Sequence, residues 1–146
     1  MRSEARPPAV MPLHLLKLAV GVDDIEQLRV IRRARAVERG GNWVFTRNRP
    51  RRAEEVLAGG SIYWVIRGHI RVRQRVTGLR SERRDTGDRY CVIEVDPLLV
   101  PTLSRPCRPF RGWRYLSSRE APPDRSVPAA VRSEKMLAEL RALGLL

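Results

Sequence analysis

The sequence predicts an α+β fold: a small, mostly antiparallel mixed sheet or a partly closed barrel, with two to three flanking helices. Two observations predict this class. Segments with strand periodicity and segments with helical periodicity are mixed along the chain, and no regular βαβ alternation joins them. The length of 146 residues is that of one domain.

The first strand and the first helix follow from an apolar run and the signals after it. Residues 13–20 are nearly continuous apolar, which is typical of a strand buried on both faces. Asp23 and Glu26 have the spacing of a capping box for a helix that Gly40 ends. This helix is expected to turn six apolar residues towards the core: Ile25, Leu28, Val30, Ile31, Ala34 and Val37.

A short strand and a short helix are predicted next. Residues 42–47 have the composition of a strand. Pro50 suits the first position of a helix that runs through Leu57, and the pair Gly59 and Gly60 ends it.

Longer strands form the centre of the predicted sheet. Apolar and polar residues alternate through 61–76, with Gly68 at a bend or bulge. A polar hairpin loop is expected over 77–88, followed by a returning strand over 90–96. Residues 97–112 are rich in proline and are expected to be irregular.

The two ends of the chain are expected to lie outside the sheet. Residues 1–10 predict a disordered extension, and residues 11–124 predict the single α+β domain. Pro122 and Pro123 are expected to form a linker before an amphipathic helix in 125–146.

The charge of the chain indicates its partner. Lys and Arg number 29 against 16 Asp and Glu, so the formal net charge is +13. Such a field attracts polyanions, nucleic acid before acidic proteins or membrane surfaces. Lys17 interrupts the one apolar run that resembles a secretory leader, and no run reaches the roughly 18 apolar residues of a membrane span. We therefore expect a cytoplasmic protein that binds nucleic acid, RNA before DNA, and no membrane.

Cysteine and histidine are too few for the usual metal sites. Cys91 and Cys107 form no Cys-x-x-Cys motif, and His14 and His69 lie far apart in the sequence. The glycine pairs match neither the P-loop nor the dinucleotide fingerprint. We expect no metal and no cofactor.

One basic row is predicted on a strand face. Arg71, Arg73 and Arg75 repeat at about 6.7 Å, twice the rise per residue, which suits contacts with successive phosphates. The alternative is a solvated edge strand, where charges protect the sheet from aggregation. No acidic residue between Arg67 and Arg80 neutralises this face, which favours binding.

A second basic row combines arginines with aromatic rings. Arg108, Arg111 and Arg114 follow one another at intervals of three, which would project to one side of a polyproline-type segment. Trp113 and Tyr115 interleave with them and, with Tyr63 of the central strand, are predicted to stack on bases. The alternative places these rings in the core.

An enzyme is the alternative to a binding module. It would act on a nucleotide or phosphorylated substrate, with arginines as an anion clamp and His69 as the acid/base. His14 lies on the predicted buried strand and is expected to be a hydrogen-bonded core residue. An enzyme is expected to bury arginines around a concavity, whereas a nucleic-acid binder spreads them over an open face.

Six segments resemble domain-of-unknown-function family 1489, a family of small alphaproteobacterial proteins, from residue 11 to roughly residue 124. They are MPLHLLKLAVGV (11–22), RPRRAEEVLAGGSIYWVIRG (49–68), RQRV (73–76), DPLLVPT (96–102), RPFRGWRYL (108–116) and APPD (121–124). The resemblance implies that the protein begins at Met11 and is cytoplasmic, and it implies no activity. A looser similarity, on the Tyr63–Trp64 pair, is to PUA-like RNA-binding folds of the EVE type, which would imply a PUA-like fold.

Overall fold

Seven strands and two helices make up the part of the chain that the computed structural model describes, residues 11–125 and Gly144. The predicted extension at 1–10 and the helix predicted in 125–146 lie outside the described residues, except for Arg125 and Gly144. The elements are β1 Leu13–Leu18, α1 Ile25–Arg39, β2 Trp43–Thr46, α2 Ala53–Leu57, β3 Ser61–Ile66, β4 His69–Arg83, β5 Arg89–Val95, β6 Val100–Pro106 and β7 Trp113–Ser117.

The strands form one open, mixed sheet in the order β2-β5-β4-β3-β1-β7, with β6 paired to β4 beside this path. All pairs are antiparallel except β1 with β3. The predicted α+β class is therefore confirmed, in its open-sheet form rather than as a partly closed barrel. The parallel pair needs a long connection, and α1, β2 and α2 supply it.

Strand β4 is the longest strand and joins the two parts of the sheet. Its first residues pair with β3 and β6, and from Val76 onwards it pairs with β5. A bulge between Val76 and Gly78 separates the two stretches. The predicted loop over 77–88 is therefore wrong in extent, because the strand continues to Arg83 and only the turn around Gly87 remains.

A two-residue turn joins β3 to β4. Arg67 and Gly68 have φ angles of 49° and 79°, and positive φ at both central residues is the requirement of a type I′ hairpin. In β3, the strand that precedes this turn, every residue is buried. The Nε1–H of Trp64 donates to Oε1 of Gln74 at 3.0 Å, so the hairpin also satisfies its polar core groups.

Helix α1 begins one residue later than predicted and buries only part of the predicted face. The N-cap is Asp24, whose Oδ1 accepts from the N–H of Gln27 at 2.7 Å, and Gly40 ends the helix with left-handed backbone. Leu28 is buried as expected, and Ile25 and Ile31 pack against the larger core. The prediction for Val30, Ala34 and Val37 is wrong, because all three are exposed, Val30 by 61% and Val37 by 82%. A charged side chain, Arg32, is buried in the helix instead.

Two apolar clusters lie on opposite faces of the sheet. The larger packs β1, β3, β4 and β5 against α1 and α2; the smaller contains Leu16, Tyr63, Val65, Ile70 and Leu116. Each fully buried aliphatic side chain contributes about 1.5–3 kcal/mol to the free energy of unfolding. The smaller cluster is closed by Cys107 and Phe110, which belong to the stretch expected to be irregular, and by Ala121.

The segments after Pro97 are more ordered than expected. Residues Val100–Pro106 form β6, so the predicted irregular stretch over 97–112 is wrong in its middle. The predicted linker at Pro122 and Pro123 is also wrong. The carbonyl of Pro123 accepts from the N–H of Leu103 at 2.9 Å, so this segment runs beside β6.

Candidate nucleic-acid interface

The three predicted arginines of β4 differ in their surroundings. Arg73 donates through Nε and Nη2 to the carboxylate of Asp124, at 2.7 Å each, and through Nη1 to Oγ of Ser61 at 3.1 Å. The hydrogen bonds to Asp124 raise the pKa of Arg73. Within residues 11–125, Arg71 and Arg75 have no carboxylate within 4.0 Å. The carboxylate that neutralises Arg73, that of Asp124, therefore lies 51 residues later in the chain.

The second predicted row does not form one extended helix. Arg108 lies in an irregular segment, the chain bends at Arg111 and at Gly112, whose φ is 65°, and Arg114 belongs to β7. All three arginines are exposed. A polyproline helix requires negative φ throughout, so the bend removes the predicted three-residue periodicity.

The strand register brings one arginine of each row to the same face of the sheet. Arg73 stands opposite Tyr63, Tyr63 opposite Leu16, and Leu16 opposite Arg114. Three strand spacings therefore separate Arg73 and Arg114, roughly 14 Å. The ring between them is not exposed: Tyr63 is 5% accessible, and burial raises the pKa of its hydroxyl.

Trp113 and Tyr115 point to the other face of β7 and pack against the larger core. Their rings meet edge to face at 4.9 Å. The Nε1–H of Trp113 donates to the carbonyl of Asn48, and the hydroxyl oxygen of Tyr115 accepts from the N–H of Arg52, at 2.9 and 3.0 Å. In this structure the two rings hold the loop before α2. Base stacking by Tyr63, Trp113 and Tyr115 stays a prediction.

A different set of rings lies on the outer face of β2 and β5. Trp43 and Phe45 alternate with buried Val44, and Tyr90 of β5 packs edge to face on Phe45 at 5.7 Å. We call these three side chains the aromatic face. All three are partly accessible, and Phe45 is 37% exposed.

An arginine lies over each ring of the aromatic face. The guanidinium carbons of Arg80, Arg39 and Arg84 lie 4.7, 4.3 and 4.7 Å from the ring centroids of Trp43, Phe45 and Tyr90. A cleft of about 450 Å³ adjoins the aromatic face. It is lined by Phe45 and Tyr90, by Arg47, Arg84 and Arg89, and by one acid, Asp88. Another cleft, of about 480 Å³, lies beside His14. The sequence signal was the period-two alternation Trp43-Val44-Phe45, which alone did not reveal the partner ring on β5.

His14 is the hydrogen-bonded core residue that the sequence predicts. Its Nδ1 accepts from the N–H of Ser61 at 3.0 Å, so the ring is neutral with its proton on Nε2, 3.1 Å from Oγ of Ser118. Burial, with the nearby charge of Arg73, lowers the pKa of His14 to about 4. Because Nε2–H donates to Ser118, this pair lacks the acceptor that a serine nucleophile needs.

The structure adds no support for the alternative hypothesis of an enzyme with His69 as its acid/base. His69 is exposed, and its Nδ1 lies 3.3 Å from the carbonyl oxygen of Arg67. Over the described residues, no group of three or more His, Cys, Asp or Glu side chains is placed to hold a metal ion. In the same part of the chain no helix is long and apolar enough to cross a membrane.

The comparisons with known proteins identify a family. No curated protein and no solved structure is significantly similar to the chain. A family model described as "Protein of unknown function (DUF1489)" matches residues 15–146, which is nine tenths of the sequence. The match confirms the resemblance seen in the sequence segments, and the chain belongs to the DUF1489 family.

Proposed function

We propose that this protein binds single-stranded nucleic acid, RNA before DNA, on the aromatic face. The observation that carries the proposal is the row of three partly accessible rings, Trp43, Phe45 and Tyr90, each with an arginine stacked over it. Bases of a single strand expose their π-faces, whereas a duplex hides them. A stacked base contributes about 1–3 kcal/mol, independently of its identity.

Four of the arginines around the rings divide into two groups. Arg80 forms ion pairs with Glu82 and Glu94, so its charge is balanced and its guanidinium orients Trp43. Arg47, Arg84 and Arg89 line the adjacent cleft, and no carboxylate among residues 11–125 lies within 4.0 Å of their nitrogen atoms. These three suit phosphate contacts beside the stacked bases.

The predicted basic rows form a second candidate surface. The aromatic face belongs to β2 and β5 at one end of the strand order, whereas Arg114 belongs to β7 at the other end. Mutations can therefore change one surface without the other, and a binding experiment can tell which of the two contacts nucleic acid.

The test is a binding titration with a fluorescent single-stranded 12-mer RNA, measured by anisotropy at several salt concentrations. We expect the double variant Phe45→Ala, Tyr90→Ala to weaken binding by roughly 10- to 100-fold, with the net charge unchanged. The comparison variant Arg108→Gln, Arg111→Gln, Arg114→Gln removes three charges and no ring. Loss of binding in the arginine variant alone would move the interface to the predicted rows, and no binding by the wild-type chain would reject the function.

A further inference from the structure

A cavity of about 240 Å³ lies between α1 and the sheet and gathers four cationic side chains. We call it the cation cavity, after Lys17 of β1 and Arg32, Arg35 and Arg39 of α1. Its remaining lining is apolar and includes Trp64 and Phe45. No carboxylate lines the cavity among the residues that the structure describes.

Arg32 is the most buried of the four cations. Its accessibility is 6%, its guanidinium lies 5.7 Å from the centroid of Trp64, and its Nη2 donates to the carbonyl of Trp43 at 3.1 Å. Its Nε–H is buried and has no hydrogen-bond partner in the described part of the chain. Burial, with the like charges of Arg39 and Arg35, lowers the pKa of Arg32 to about 10.

The neighbouring cations lie beside Arg32, whose charge has no carboxylate partner among residues 11–125. Lys17 is half-buried, and burial lowers the pKa of its ammonium group. Arg39 donates to the same carbonyl of Trp43 at 2.8 Å while it stacks on Phe45. Buried charges in proteins are paired or bound to a counter-ion, because an unpaired one loses its hydration without compensation. Residues 11–125 supply no such counter-ion to the cavity, so an anionic ligand is a candidate for it.

We propose that the cation cavity binds a phosphoryl group, and that in the bound complex this group is the terminal phosphate of the nucleic-acid strand. A phosphate monoester carries about two negative charges and several acceptor oxygens, which matches several guanidinium groups better than a single carboxylate does. An internal phosphodiester carries only one negative charge, so it matches the four cations less well than a phosphate monoester does.

The position of the cavity beside the aromatic face favours the terminal phosphate of a nucleic-acid strand as its ligand. Phe45 belongs both to the aromatic face and to the cavity lining, and Arg39 contacts both. A first base at Phe45 would bring its terminal phosphate towards Arg39, which lines the cavity together with Arg32. The terminal-phosphate part of the proposal rests on the proposed function, whereas the phosphoryl site itself does not.

Thermal unfolding in millimolar inorganic phosphate, against sodium chloride of equal ionic strength, tests the phosphoryl site. The melting temperature of the wild-type chain should rise by roughly 5 °C at a phosphate concentration tenfold above Kd. Arg32→Met should abolish this rise. It should not lower the melting temperature without phosphate, because Arg39 still donates to the carbonyl of Trp43. The matched control Arg33→Gln removes one charge from the same helix outside the cavity lining and should keep the rise.

A second variant covers the case in which Arg32→Met does not fold. Arg35 is exposed, so Arg35→Gln is expected to fold and to reduce the phosphate response. Equal responses in the wild-type chain, Arg32→Met and Arg35→Gln would overturn the phosphoryl site, as would an absence of response in the wild-type chain.

Oligonucleotides with and without terminal phosphates test the source of the phosphoryl group. Single-stranded 12-mers with a 5′-phosphate, a 3′-phosphate or neither are compared for the wild-type chain and Arg32→Met. We expect one phosphorylated end to bind at least tenfold more tightly than the unmodified strand, and Arg32→Met to remove that difference. If the three 12-mers bind with equal affinity and inorganic phosphate still raises the melting temperature, the terminal phosphate of a strand is not the ligand. The cavity would then be a site for a small phosphorylated molecule. If no 12-mer binds, the proposed function fails together with the strand end, while the phosphoryl site is decided by the melting experiment alone.

Discussion

The guanidinium of Arg73 donates two parallel hydrogen bonds of 2.7 Å to the carboxylate of Asp124, 51 residues later in the chain. This fork joins the central strand to the last described segment, in which Pro123 also bonds to Leu103. The pair explains why a row of three arginines is only partly available to a polyanion. It also means that the C-terminal part of the domain contributes to the stability of β4.

We expect Asp124→Asn to lower the free energy of unfolding by about 1 kcal/mol. The pair is bidentate, but Asp124 is nearly half exposed, so solvent screens much of its Coulomb energy. Urea unfolding of both proteins measures the change. Asp85→Asn, at the exposed tip of the β4–β5 hairpin, is the control for loss of one negative charge and should leave stability unchanged.

His14 should make the protein less stable as the pH falls from 6.5 to 4. Its pKa is lowered to about 4 by burial and by Arg73, so in this interval the unfolded chain takes up a proton that the folded chain does not. The full loss is about 3 kcal/mol. In His14→Asn, an amide oxygen can accept from the N–H of Ser61 without titrating, so its unfolding free energy should fall less over the same interval. Parallel pH profiles for the two proteins would contradict the assignment.

Gln74→Ala should destabilise the protein strongly, by about 3 kcal/mol. Gln74 is fully buried; it accepts from Nε1–H of Trp64 and donates to the carbonyl of Asp96, at 3.0 Å each. Its removal leaves a cavity and two polar groups without partners. Chemical unfolding measures the loss. A matched change at exposed Glu54, Glu54→Ala, should cost little, and a similar cost for both would show that the buried bridge contributes nothing.

The salt dependence of RNA binding should become less steep in Arg47→Gln, Arg89→Gln. Each phosphate contact with a single strand contributes about −0.7 to the slope of log affinity against log salt. Loss of two contacts should reduce the steepness by about 1.4. The same titration with Arg71→Gln, Arg75→Gln measures the predicted β4 row, and an equal or larger change there would assign those phosphates to β4.

Local signals in the sequence predicted the helices and strands well where residues adjacent in the sequence determine the structure. The apolar run before Ala19, the glycine that ends α1 and the turn at Gly68 need only backbone preferences and nearest neighbours. The prediction failed where a distant partner decides. Residues 77–83 extend β4 because β5 pairs with them, and Pro123 packs beside β6 because Leu103 bonds to it.

The sequence by itself determined the α+β class, the basic charge of +13, the family resemblance and the core position of His14. Only the tertiary structure decided which distant side chains share a surface. Strand order and register place Tyr90 against Phe45 and Asp124 against Arg73, and no local periodicity contains that information. The burial of Arg32 illustrates the same limit: helical spacing put Val37 on the apolar side, whereas packing against Trp64 selected the face that carries an arginine.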